Sequence, residues 1–162
     1  MHLDRRAFIG LTAAAAAGSL ILFGRSGGAA PSLRFAVNHT SAEWQKILGL
    51  QRYAVLREAA TERPFTSPLL KEHRRGTFVC AGCALPLFNS ATKFDSGTGW
   101  PSFWKALPHA VTTRADHSVM MERTEVLCAR CGGHLGHVFD DGPKPTGLRY
   151  CMNGLALNFR PA

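Results

Sequence analysis

Cys80-Ala81-Gly82-Cys83 and Cys128-Ala129-Arg130-Cys131 are two C-x-x-C knuckles set far apart in one chain. Each spacing puts two thiols on one side of a tight turn. Two knuckles facing one another offer four soft ligands in a tetrahedron, the set that a structural zinc ion takes. Gly82, and Gly132-Gly133 just after the second pair, are expected to let the turns tighten. A metal so held closes a large loop and removes unfolded-state entropy. Four protein ligands leave no open position, so the ion is expected to be structural and not catalytic. Two disulfides, or a redox C-x-x-C, are the alternatives. The redox motif should follow a strand in a βαβ unit, and no such unit is visible.

Around the knuckles the chain is short-segmented and β-prone from Gly76 onward. Strands are expected near Thr77–Cys80, Ala110–Arg114, Ser118–Met121, Glu125–Leu127, Leu135–Phe139, Arg149–Met152 and Leu155–Phe159. Short strands joined by turns imply a mainly β fold of antiparallel sheets. Ahead of them, Thr40-Ser41-Ala42-Glu43 fits a capping box. Trp44, Ile47 and Leu48 would share one face of a short helix that Gly49 breaks. A second helix is expected from about Leu50 to Ala60, burying Tyr53, Val55 and Leu56 in part, and Pro64 bars its continuation.

Residues 1–30 read as an export signal and not as part of the fold. Arg5-Arg6 precede an uncharged, alanine-rich run from Ala7 to Phe23, too short and too weakly apolar for a confident spanning helix. The arginine pair looks like a twin-arginine signal; an ordinary secretory signal or an uncleaved membrane anchor is the alternative. Gly27, Gly28, Ala29 and Ala30 could form the cleavage region. The expected organisation is a signal at 1–30, a linker at 31–38 and one domain at 39–162, exported to the periplasm.

The 162 residues, 46% of them hydrophobic, suit one core. The formal charge is +8; Arg5, Arg6 and Arg25 against Asp4 leave the first thirty residues at +2, so +6 is spread over the rest. Those cations form no stripe with interleaved aromatics, and nucleic acid is not an expected partner.

Five cysteines minus four metal ligands leave Cys151, within Arg149-Tyr150-Cys151-Met152-Asn153. It is either a buried structural thiol or a reactive one. Three features favour reactivity. Arg149 is a cation two residues away, expected to lower the thiol pKa. His134 and His137, in Gly133-His134-Leu135-Gly136-His137-Val138-Phe139, could serve as proton donors in a common pocket. The aromatic loop Gly97-Thr98-Gly99-Trp100-Pro101-Ser102-Phe103-Trp104 could wall that pocket.

At these residues the chain resembles the B-type methionine sulfoxide reductases. The matching stretches are Thr61 to Phe65, both knuckles, Lys93 to Phe103, Gly133 to Pro143 and Arg149 to Asn153, in the family's order over roughly residues 39–160. The resemblance implies two antiparallel sheets in a tent-like arrangement, with helices near the N-terminus and the zinc away from the active site. It implies reduction of the R epimer of methionine sulfoxide, protein-bound or free. Cys151 would be the nucleophile, and His134, His137 and Asn153 would orient and protonate the sulfoxide oxygen. Trp100 would pack on the substrate methyl group in a pocket shared with Phe103, Phe139 and Arg149. Many family members carry a resolving cysteine where this chain has Thr98, so a thioredoxin-like or small-molecule thiol is the expected reductant, acting on a monomer. Gly154 stands where the family usually has serine, and is expected to loosen the turn after Asn153. A non-catalytic zinc-binding recognition module, or a lyase on a similar scaffold, is the competing reading.

Overall fold

A computed structural model describes residues 34–118 and 122–162. The expected signal at 1–30 and most of the strand expected at Ser118–Met121 lie outside these residues, as do residues 31–33 of the expected linker. Ser118 itself is a bend and not strand.

Helix α1 spans Ser41–Glu58. Its capping box forms as the sequence implies: the Glu43 amide donates to Thr40 Oγ1 at 3.3 Å, and the Thr40 amide donates to Glu43 Oε2 at 2.8 Å. Gly49 adopts φ +68° and kinks the helix, so the two expected helices are two halves of one element. Trp44, Leu48, Val55 and Leu56 are buried and Tyr53 half-buried, but Ile47 is 53% exposed. The kink ends the first face after Leu48, and Ile47 points away from it.

Among the described residues nine strands make two antiparallel sheets. β1 (Gly76–Cys80), β2 (Pro86–Asn89) and β9 (Leu157–Pro161) form the smaller, in the order β2-β1-β9. The larger runs β3-β4-β8-β7-β6-β5, built from β3 (Lys93–Phe94), β4 (Ser102–Phe103), β5 (Val111–Asp116), β6 (Arg123–Cys128), β7 (His134–Phe139) and β8 (Arg149–Met152). The expected strands at 77–80, 110–114, 125–127, 135–139 and 149–152 form with small shifts at their ends. Leu155 and Ala156, expected to open the last strand, lie instead in a 3-10 turn over Gly154–Ala156. β2, β3 and β4 carry no alternating pattern long enough to read, and the sequence does not announce them.

The sheets meet through aromatic side chains. Phe88 stacks on Phe103 with ring centroids 4.3 Å apart, and Phe78 meets Phe103 edge-on at 4.9 Å. Phe78, Phe88 and Phe103 have no exposed surface. Each such ring contributes about 1.5–3 kcal/mol by leaving water. No helix among the described residues is long and apolar enough to cross a membrane.

Candidate functional site

The two knuckles face one another. The Sγ atoms of Cys80, Cys83, Cys128 and Cys131 all lie within 4.8 Å of each other. Cys80 and Cys131 are 3.7 Å apart and Cys83 and Cys128 3.5 Å. A disulfide requires about 2.05 Å, so neither pair is bonded. Thiolates at the usual zinc–sulfur distance of about 2.3 Å stand about 3.8 Å apart along the edges of a tetrahedron, and this cluster fits that spacing. Four thiolates this close also need a cation to ionise together.

Both knuckles use one turn. The amide of Ala84 donates to Cys80 O at 2.8 Å and that of Gly132 to Cys128 O at 2.8 Å. Both donors have positive φ, 59° and 68°. In the first knuckle it is therefore Ala84, and not Gly82, that takes the left-handed position. α1 covers the cluster: Arg57 donates to Cys131 O at 2.9 Å and lies over Trp44. Phe35 lies against Gly132, and the Val37 amide donates to Arg130 O at 3.0 Å.

Cys151 is elsewhere, in β8 between β4 and β7, opposite Ser102 on one side and His137 on the other. It lines a cleft of about 120 Å³ with Thr61, Trp100, Arg123, Gly136, His137, Phe139 and Asn153. Gly136 is needed here, because a Cβ would run into Cys151 O on the adjacent strand. A run of hydroxyls lies beneath the thiol: Ser102 to Ser96 at 2.7 Å, Ser96 to Thr98 at 2.8 Å, and Thr98 Oγ1 to Cys151 Sγ at 3.8 Å. Burial pushes the Cys151 thiol above its ordinary value, and Thr98, Arg149 and Ser102 pull it down without overcoming that. The expected net acidification by Arg149 is thus not found. Its guanidinium is shared, bonding Asp141 twice at 2.8 Å and lying 4.4 Å over the Phe139 ring.

Trp100, His137, Phe139, Asn153 and Cys151 line one cleft; Phe103, Arg149 and His134, also expected at the site, do not. In β4 successive side chains alternate, so Ser102 faces Cys151 while Phe103, opposite Tyr150, enters the core. His134 lies behind His137, with ring centroids 5.5 Å apart, and is 4% exposed. Its Nδ1 bonds Glu125 Oε1 at 2.6 Å. Burial pushes its pKa below the ordinary value despite Glu125, which favours the neutral ring. His137 Nε2 bonds Asp116 Oδ2 at 2.7 Å, and Arg123 donates to the same oxygen at 2.6 Å. Glu125 also pairs with Arg114. The sequence reading missed Asp116, Arg123 and Glu125. The available signal was Glu125, a charge ahead of the apolar Val126-Leu127-Cys128.

Glu62 was missed as well. Its backbone carbonyl accepts the Trp100 indole N–H at 3.1 Å, and its amide donates to Asn153 Oδ1 at 3.0 Å. Its carboxylate accepts the amides of Gly154 at 2.5 Å and Leu155 at 3.0 Å. Asn153 Nδ2 donates to Leu135 O at 3.3 Å, so both ends of that amide are committed to backbone. Gly154 opens the 3-10 turn after Asn153. Its turn is fastened by Glu62, and a Cβ there would collide with the Ser67 side chain.

The SelR domain family matches residues 48–161, from the second half of α1 to the end of β9. The chain belongs to the SelR family. Curated relatives named peptide methionine sulfoxide reductase MsrB match across nearly all of their own length. That of Leptospira interrogans is 50% identical over 129 residues, 79% of this chain and 98% of the relative. That of Thiobacillus denitrificans is 54% identical over 123 residues, 75% and 93%. That of Bradyrhizobium diazoefficiens is 58% identical over 120 residues, 74% and 86%. The matched region contains both knuckles and the whole Cys151 cleft, and this SelR member is an enzyme of the methionine sulfoxide reductase class.

Proposed function

We propose that this chain reduces the R epimer of methionine sulfoxide, in oxidised proteins and as the free amino acid, with Cys151 as nucleophile. One observation carries the reading: a single cleft, walled by Trp100 and Phe139, holds Cys151 and His137 together. A sulfoxide presents an electrophilic sulfur, a polar S–O bond and an apolar methyl group. The Cys151 thiolate attacks the sulfur, and His137 supplies a proton to the oxygen. The oxygen moves to Cys151 as a sulfenic acid and methionine leaves, so the sulfoxide gains two electrons and the cysteine loses them. The aromatic wall receives the methyl group while the oxygen faces His137, which selects one sulfur epimer. Asn153 lines the cleft with its amide tied to backbone, and His134 acts from behind through the His137 ring.

Four of the five cysteines form the cluster and Thr98 stands beside Cys151. Two equivalents of an external thiol, from a thioredoxin-like protein or a small molecule, therefore return Cys151 to the thiol and release water and a disulfide. Zinc is the ion the cluster suits, held by Cys80, Cys83, Cys128 and Cys131, and it supplies structure and not chemistry. The enzyme works as a monomer of residues 39–162. The Arg5-Arg6 segment directs export to the periplasm, and cell fractionation after changing both arginines to lysine checks this by retention inside the cell.

The deciding assay supplies peptide-bound methionine-R-sulfoxide with dithiothreitol. Wild type turns over, Cys151→Ser does not, and the S epimer is untouched. Equal turnover by both proteins, or none by either, would overturn the reading in favour of a binding module.

A further inference from the structure

Phe65 stands out among the described residues. It is 70% exposed, and it has φ 64°, a left-handed conformation that a bulky residue rarely adopts. Two bonds fix it there. Its amide donates to Gly99 O at 2.8 Å, and Thr66 Oγ1 closes the turn on Arg63 O at 2.7 Å. The ring lies against Gly99, close enough that a Cβ there would sit 2.9 Å from its Cδ2 and Cε2. Gly99 has φ +90° and immediately precedes Trp100, the wall of the Cys151 cleft. Thr61, on the same segment as Phe65, also lines the cleft. The fold thus strains its backbone to hold a large apolar ring in water at the cleft's rim, with nothing among the described residues covering its outer face.

We propose that Phe65 is a specificity residue for polypeptide substrates, packing on the apolar side chain next to the oxidised methionine. This rests on the reductase reading above. A methionine side chain inserted as far as Cys151 leaves its own backbone at the cleft mouth, so the neighbouring residues of a polypeptide cross the rim. A ring held rigid beforehand loses little freedom on covering them, and aromatic burial is what such contacts use. A free amino acid has no neighbouring side chain to offer.

The test compares a doubly blocked single residue, N-acetyl-methionine-R-sulfoxide N-methylamide, with blocked peptides carrying Leu or Ser on either side of the sulfoxide. Wild type is expected to favour the Leu-flanked peptide over the single residue by about tenfold in kcat/KM. Phe65→Asn keeps a residue that tolerates the left-handed turn. It should abolish the preference while leaving the single-residue rate within about twofold of wild type. Phe65→Tyr should restore the preference. Equal losses on all substrates would assign Phe65 a purely structural role through Gly99 and Trp100, and an unchanged preference would mean the ring touches nothing; either result overturns the proposal. Wild type inactive on every substrate would overturn the reductase reading itself, and the proposal with it.

Discussion

At Cys151, burial opposes charge. The thiol is half-buried between β4 and β7, and loss of water raises its pKa more than Arg149, Thr98 and Ser102 lower it. Thiolate is the nucleophilic form. A raised pKa therefore means that the reactive fraction is small at neutral pH and grows as pH rises. The rate of Cys151 alkylation is expected to climb through the alkaline range to a plateau above the ordinary thiol range. Arg149→Met removes one of the groups pulling the pKa down, so its profile should lie further to the alkaline side. A stopped-flow alkylation series across pH checks both; a plateau already reached at neutral pH would contradict the burial argument. The sequence made Arg149 visible because it stands two positions away. It could not show that Asp141 shares the guanidinium or that two strands enclose the thiol, since both depend on how the chain turns back on β8.

Elements decide which motif residues reach the cleft. β4 is two residues long, too short for its alternation to be read, so Phe103 sits in a motif yet turns into the core. β7 holds a subtler case. His134 and His137 are three apart and would face opposite sides of a regular strand. The register passes from Val126↔Gly136 to Leu127↔His134, leaving Leu135 as an extra residue. That bulge resets the alternation and lets His134 sit behind His137 on one side. The histidines were legible as a motif, whereas their order of depth depends on a bulge that no local pattern announces. The knuckles were legible because their spacing is itself the geometry. Phe103→Ala tests the assignment of β4. Loss of the ring that bridges Phe78 and Phe88 should cost about 3–5 kcal/mol. Tm should fall by about 10–20 °C. KM for the sulfoxide should stay within about twofold of wild type in the folded fraction. A raised KM without loss of stability would return Phe103 to the substrate pocket.

Over the whole molecule the cysteine cluster fastens the two sheets to each other. Cys80 ends β1 in the smaller sheet and Cys128 ends β6 in the larger, with Cys83 and Cys131 in the turns that follow. α1 packs on the same place through Trp44 and Arg57, and residues 35–37 lie against the second knuckle. Without a cation, four clustered thiols resist ionising together, and the contacts built around them lose their anchor. A structural zinc site contributes about 10–16 kcal/mol of apparent binding energy. That is comparable with the ~5–15 kcal/mol by which a domain is stable at all. Metal loss is therefore expected to unfold the domain and not merely soften it. Cys128→Ser should purify without stoichiometric zinc and show no cooperative melting transition. Native wild type should present one alkylatable thiol, Cys151, and five after chelation in denaturant. Activity should disappear together with the fold, although the four cysteines of the cluster lie outside the Cys151 cleft. A Cys128→Ser protein that melts cooperatively at the wild-type temperature would show that the sheets hold each other without the ion.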